Sequence, residues 1–216
     1  MIKGSAEVRA DINHHGPYPG EHASVAAIQR YARDAEATAR FLARQPEVDP
    51  RRVGLSGGSQ AGWIMPLAAS RQPAVSWLHL LVSPAVTVDE SDFYADLTTQ
   101  GASIPPLSPD EIDDRVRAHG PGGFDPLPAI RALRIPGLWI YGGLDQHIPT
   151  RLSIERLRPI VFEPGRDFTV ALYPKANHSL LETEHGLNAE TGRSHQMAGG
   201  LFAQLHAWLR AHALSP

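Results

Sequence analysis

The chain has 216 residues, a formal net charge of −3 and 42% hydrophobic residues. This length suits a single domain over residues 1–216 with a full hydrophobic core. The near-neutral charge predicts neither a nucleic-acid patch nor a polybasic membrane anchor. The chain has no cysteine, which excludes disulfides, thiolate zinc sites and a cysteine nucleophile. Because the first residues lack an apolar signal core and no run of about 18 apolar residues occurs, we expect a cytoplasmic protein.

The first half of the chain alternates between strand and helix patterns. In order, it predicts a weak strand over 6–12, a turn-rich loop, a helix over 24–44, a short buried strand over 52–55, a glycine-rich turn over 56–62, a helix over 63–69 and a strand over 77–82. The run WLHLLV at 77–82 is apolar almost throughout, as expected of a parallel strand that is covered on both faces.

The second half begins with an irregular stretch. Residues 87–134 are rich in acids and prolines, and a short helix is predicted over 110–118. A strand over 137–141, a helix over 151–157, a strand over 168–172 and an amphipathic helix over 198–211 follow. Strands that alternate with helices predict an α/β fold with a mostly parallel sheet flanked by helices.

A serine lies in the glycine-rich turn between a predicted strand and a predicted helix. The run GGSQA over 57–61 matches the nucleophile pattern G-x-S-x-G, except that Ala61 replaces the last glycine. A sharp bend exposes the serine oxygen, and the helix N-terminus that follows favours a developing oxyanion. Ser59 is therefore a candidate nucleophile. Alternatively, the turn only requires glycines, or it binds phosphate without the lysine of a P-loop.

A serine nucleophile needs a histidine base, and the histidine needs an acid that orients it. Asp145 and His178 each follow a predicted strand, where parallel sheets place their sites. The chain order Ser59, Asp145, His178 is the order that a nucleophile elbow predicts. Alternatively, Asp145 caps the next helix, His178 is a surface residue, or Glu182 or Glu184 is the acid.

Three segments together resemble the α/β-hydrolase family, in its bacterial serine esterase and aminopeptidase-like branch: VGLSGGSQAGW at 53–63, LRIPGLWIYGGLD at 133–145 and ANH at 176–178. The resemblance implies a carboxylic ester hydrolase for small acyl substrates, with Ser59 as nucleophile, Asp145 as orienting acid and His178 as general base. It also implies a small helical cap at 87–134 and neither a metal nor an organic cofactor.

The oxyanion hole is the least complete part of the resemblance. One donor would be the backbone N–H of Gln60, the residue after the nucleophile. The family usually has several strands ahead of the segment where this chain begins, whereas only residues 6–12 are predicted here. We favour a place for them beside the 52–55 strand, where a backbone N–H near His15 or Gly16 would be the second donor. Otherwise, the histidines of this loop form a solvated turn or a metal site: His14, His15 and His22.

Two questions of function and assembly stay open at this point. Within the same chemistry, a peptidase or a thioesterase is an alternative to an esterase. From another class, the alternative is a catalytically weak hydrolase-like protein used for binding or assembly. If residues 6–12 instead keep the role of the family's fourth strand, another chain or a rearranged segment would fill the gap in the sheet. Either arrangement leaves a sheet edge exposed, which predicts edge pairing or a homodimer.

Overall fold

The computed structural model of the protein describes residues 23–194 and 196–212. The predicted strand over 6–12 and the two proposed oxyanion residues of the front loop, His15 and Gly16, lie outside the described residues. The arrangements that depend on them therefore stay predictions.

Four parallel strands form the described sheet, in the spatial order β1-β2-β3-β4. They are β1 (Gly54–Gly58), β2 (Trp77–Leu81), β3 (Gly137–Gly142) and β4 (Phe168–Tyr173). The predicted α/β fold with a mostly parallel sheet flanked by helices is confirmed. Since consecutive strands are neighbours and all run in one direction, their carboxyl ends meet at one edge of the sheet.

The predicted bounds of β1 were wrong. The strand does not end at residue 55 but continues through Gly57 and Gly58, which pair with Leu80 and Leu81 of β2. The glycines here leave room for packing and do not form the turn itself. A Cβ on Gly57, for example, would lie 2.4 Å from Met65 Cε of α2. The turn between strand and helix therefore shrinks to residues 59–60.

Eight α-helices lie within the described residues: α1 (Val25–Leu42), α2 (Ala61–Arg71), α3 (Val88–Leu97), α4 (Pro109–His119), α5 (Leu127–Ala132), α6 (Thr150–Val161), α7 (Asn188–Thr191) and α8 (Leu201–His212). Five match predicted helices, whereas α3, α5 and α7 were not predicted. Helix α8 begins three residues later than expected, after Gly200 at φ +81°. None of the helices in these ranges is both long and apolar enough to cross a membrane.

The alternation of side chains along β2 and β3 builds two cores. Leu78 and Leu80 of β2, with Trp139 of β3, pack on one face of the sheet against α2, α5 and α6. Leu138 and Ile140 point to the other face, where they meet α8. Each such apolar side chain contributes about 1.5–3 kcal/mol on burial, so the sheet holds its strand ends in a rigid frame.

Residues 87–134, here called the helical segment, form two parts. Helices α3 and α4 share a small core with Leu152 at the beginning of α6. Helix α5 instead contributes Leu127 and Ile130 to the main core below the sheet. Four arginine–carboxylate pairs join the first part to α6: Arg117–Glu155, Arg151–Asp110, Arg151–Asp113 and Arg156–Glu90. The segment thus lies beside the carboxyl end of β3.

Candidate active site

Ser59 forms the bend between β1 and α2. Its φ is +54°, a left-handed conformation that costs a non-glycine residue about 1–3 kcal/mol. Two hydrogen bonds hold the bend: the Ser59 N–H donates to the Leu81 carbonyl at 3.0 Å, and the Gly62 N–H donates to the Ser59 carbonyl at 3.0 Å. Ala61, which replaces the last glycine of the pattern, is 6% exposed and begins α2. The local geometry is that of a strained strand–turn–helix elbow.

Asp145 follows β3, and its two carboxylate oxygens have different partners. Oδ1 accepts hydrogen bonds from the N–H groups of His147 at 2.8 Å and Ile148 at 3.1 Å. Oδ2 lies 2.8 Å from Nδ1 of His178. The carboxylate is buried and can only accept, so the proton of His178 lies on Nδ1 and Nε2 is left as an acceptor. Asp145 therefore both shapes the turn ahead of α6 and orients the histidine.

The loop after β4 presents His178, whose side chain is 22% exposed. Its neighbour Asn177 is buried and fixes the loop from within: Oδ1 accepts the N–H groups of Ser179 at 2.9 Å and Leu181 at 3.2 Å. Nδ2 donates to Thr191 Oγ1 at 2.7 Å. The role of Asn177 was not predicted from the sequence, although a polar residue beside the candidate base was a signal for one.

The three predicted residues follow β1, β3 and β4, so all lie at the carboxyl edge of the sheet. The structure brings Asp145 and His178 into a hydrogen bond. Within residues 23–194 and 196–212, no hydrogen bond joins Ser59 to His178. The alternative acids have other surroundings: Glu182 accepts the N–H of Gly199 at 3.1 Å, and Glu184 is exposed.

Comparison with curated proteins gives one distant relative. A protein of Methylorubrum extorquens, named "Putative carboxymethylenebutenolidase", is 23% identical over 147 residues. The match covers 68% of this chain and 40% of that protein. No protein-family model matches the chain. The chain thus spans less than half the length of this curated relative.

Solved structures give closer likenesses in fold. A structure described as a "Putative Dienelactone Hydrolase" from Klebsiella pneumoniae aligns at a TM-score of 0.54 and 18% identity, over 85% of this chain and 61% of that chain. The chain has the α/β-hydrolase fold. A puromycin-hydrolyzing peptidase of Mycobacterium tuberculosis has a TM-score of 0.53 at 18% identity, over 83% of this chain and 25% of that chain. The esterase domain of a Rhodothermus marinus protein has a TM-score of 0.50 at 18% identity, over 84% and 69% respectively.

In this α/β-hydrolase fold, the helical segment contacts the loop that carries Asp145. The hydroxyl of Tyr94 donates to the Asp145 carbonyl at 2.8 Å, and the hydroxyl of Thr98 donates to the Gln146 carbonyl at 2.6 Å. Burial raises the pKa of Tyr94, so its hydroxyl remains a donor at neutral pH. Sequence reasoning missed both residues because their partners are backbone carbonyls, which leave no sequence mark.

The hydrolase fold also contains a second serine–histidine pair. Ser56 Oγ lies 2.9 Å from Nδ1 of His79, across the paired strands β1 and β2. His79 is 6% exposed, and burial lowers its pKa to about 4. Both residues lie within strands rather than at the carboxyl edge, although Ser56 is exposed and His79 is buried. We therefore assign this pair to the contact between β1 and β2 and not to a second site.

Gln60, the predicted oxyanion donor, lies between Ser59 and the first turn of α2.

A cluster of potential metal ligands lies in the loop after His178: Glu184, His185 and Glu190 have ligand atoms within 4.8 Å of one another. The carboxylate of Glu190 already accepts the N–H groups of His185 and Leu187. We therefore assign these side chains to the loop structure rather than to a metal.

Proposed function

We propose that this protein is a serine hydrolase that cleaves carboxylic esters of small acyl substrates through an acyl-enzyme on Ser59. The observation that carries the proposal is the 2.8 Å contact between the Asp145 carboxylate and Nδ1 of His178. This contact lies at the same edge of the sheet as the left-handed turn of Ser59. An oriented imidazole that reaches a serine hydroxyl activates it as a nucleophile, and we propose that His178 and Ser59 meet in this way.

In the proposed mechanism, Nε2 of His178 takes the proton of Ser59 as its Oγ attacks the ester carbonyl. The resulting oxyanion accepts a hydrogen bond from the N–H of Gln60 and, in our proposal, from a backbone N–H near His15 or Gly16. The tetrahedral intermediate collapses, and His178 gives its proton to the leaving alcohol. Water then attacks the acyl-enzyme with His178 as base again, which releases the acid and restores Ser59.

The proposed substrate is a small-molecule ester. The relatives are named as a dienelactone hydrolase, an esterase domain and a peptidase, and all of these names denote acyl transfer to water. We propose that helices α3 and α4 form the cap that shapes the acyl or alcohol pocket. A panel of nitrophenyl esters, lactones, thioesters and aminoacyl anilides separates an esterase from a thioesterase or a peptidase.

Labelling with a fluorophosphonate tests the nucleophile. We expect covalent modification of Ser59 and none in Ser59→Ala. Ser70→Ala is the matched control, because Ser70 lies in the helix after the elbow and its hydroxyl only caps a backbone carbonyl; this variant should label like the parent. If folded parent protein is not labelled, the esterase proposal fails. The binding or assembly alternative would then be favoured, since losing one oxyanion donor alone costs about 10²–10³ in rate.

A further inference from the structure

We propose that His147 is a positioning residue for the base: its ring supports one face of His178 and holds Nε2 of that imidazole toward Ser59. This inference rests on the proposed function. The two rings are stacked, with centroids 4.7 Å apart and an interplanar angle of 29°. His147 comes two residues after the orienting acid, so one short turn carries both groups that contact the base.

His147 is itself held at both ends. Its backbone N–H donates to Asp145 Oδ1 at 2.8 Å, and its Nε2 lies 3.0 Å from Asn188 Oδ1. The amide of Asn188 donates from Nδ2 to the Gln100 carbonyl at 2.7 Å. Because that contact fixes the orientation of the amide, Oδ1 is the acceptor and Nε2 of His147 carries a proton. The ring is therefore fixed in both plane and tautomer.

Gln100, the last residue in this series of contacts, lies in a strained turn of the helical segment. Thr99 and Gln100 have φ values of +52° and +49°, and Gly101 follows at +75°. A Cβ on Gly101 would lie 3.2 Å from Asn188 Oδ1. Left-handed conformations of non-glycine residues persist where their surroundings determine them, and they cluster at functional sites. This turn directs the Gln100 carbonyl at the amide that holds His147.

The stack affects the charged form of the base. When His178 takes the proton of Ser59, it becomes a cation against the face of a neutral aromatic ring, which stabilises it.

Two variants separate positioning from a structural role. His147→Ala removes the ring, and we expect kcat for a nitrophenyl ester to fall about tenfold while KM changes less than twofold. His147→Phe restores an aromatic face that has no N–H group. On a logarithmic scale, we therefore expect its kcat to lie closer to that of the parent than to that of His147→Ala.

The rate of fluorophosphonate labelling distinguishes the possible failures. If Ser59 is labelled and all three proteins have the same kcat, His147 has no positioning role. If alanine and phenylalanine lower kcat equally, the aromatic face is not the cause and the inference fails. If Ser59 of the parent is not labelled at any pH, the proposed function fails and the inference fails with it. Thermal unfolding of each variant checks that the fold is intact.

Discussion

At the level of single residues, the two oxygens of Asp145 have separate tasks. Oδ1 holds the turn ahead of α6 by accepting two backbone N–H groups, and Oδ2 holds His178. Asp145 does not cap α6, because the N-cap of that helix is Pro149 and no side chain caps it; Oδ1 instead holds the turn ahead of the helix. A substitution can therefore remove one task and keep the other.

Asp145→Asn is such a substitution. The amide oxygen can still accept the N–H groups of His147 and Ile148, but the NH₂ group that faces His178 donates instead of accepting. Nδ1 must then lose its proton, which puts the proton on Nε2 and blocks the base. We expect kcat to fall about 10⁴-fold with the unfolding temperature nearly unchanged. Steady-state kinetics measure kcat and calorimetry measures the unfolding temperature. Asp145→Ala should lower both kcat and the unfolding temperature. Activity of the asparagine variant within tenfold of the parent would contradict the assigned role.

Buried His79 makes stability depend on pH. Its folded-state pKa is lowered to about 4, whereas the unfolded chain binds the proton near the ordinary value of 6.5. Between these values the unfolded state holds more protons, so stability is complete above pH 6.5 and falls as the pH drops towards 4. Relative to His79→Gln, which is neutral at both values, we expect the parent to lose about 2 kcal/mol of unfolding free energy between pH 7 and pH 5. Urea unfolding measures this; equal losses in the two proteins would contradict it.

At the level of elements, α3 links the helical segment to the acid loop through Tyr94. Tyr94→Phe keeps the ring and removes the hydrogen bond to the Asp145 carbonyl. We expect a loss of about 1 kcal/mol of stability and a three- to tenfold fall in kcat. Tyr173→Phe is the control, because its hydroxyl contacts Gln204 of α8 on the other face of the sheet. That variant should lose similar stability but keep its kcat, as measured by urea unfolding and ester turnover. A fall in kcat as large as that of Tyr94→Phe would show that the effect is not specific to the acid loop.

The strands were predictable because β2 and β3 are apolar runs that parallel sheets bury on both faces. Helix α3 was missed because acids and prolines dominate its surroundings, although Thr87 and Glu90 form a capping box that signals a helix start. The T-x-x-E spacing is visible in the sequence and could have located it. Helix α5 begins next to two prolines, Pro126 and Pro128, which are typical of a loop, and only its packing in the core through Leu127 and Ile130 identifies it as a helix.

The candidate site was predictable only in part. The chain order of serine, aspartate and histidine indicated Asp145 and His178, and these two meet in the structure. Thr98, His147 and Asn177 act through backbone groups or ring faces that come together only when distant loops fold. Such contacts depend on where the helical segment lies against the sheet edge, and no local pattern records that placement.

At the level of the whole molecule, β1 is at one end of the sheet and pairs with β2 alone among the described strands. The prediction of a homodimer through an exposed edge is tested by light scattering over a range of protein concentrations. We expect a mass near twice the 23.5 kDa of the chain. A monomer at all concentrations would contradict the homodimer and favour pairing of β1 within the same chain.

The strained turn at Thr99, Gln100 and Gly101 has a consequence for protein engineering. Both non-glycine residues are exposed, so a glycine at position 100 would relieve the left-handed backbone without removing buried packing. It would also give the peptide freedom to turn its carbonyl away from Asn188. Selection for heat resistance would then favour the relaxed backbone, and selection for turnover would favour the native one. In a library of variants at position 100, we therefore expect a screen for heat resistance to retain glycine and a screen for turnover to retain the native glutamine.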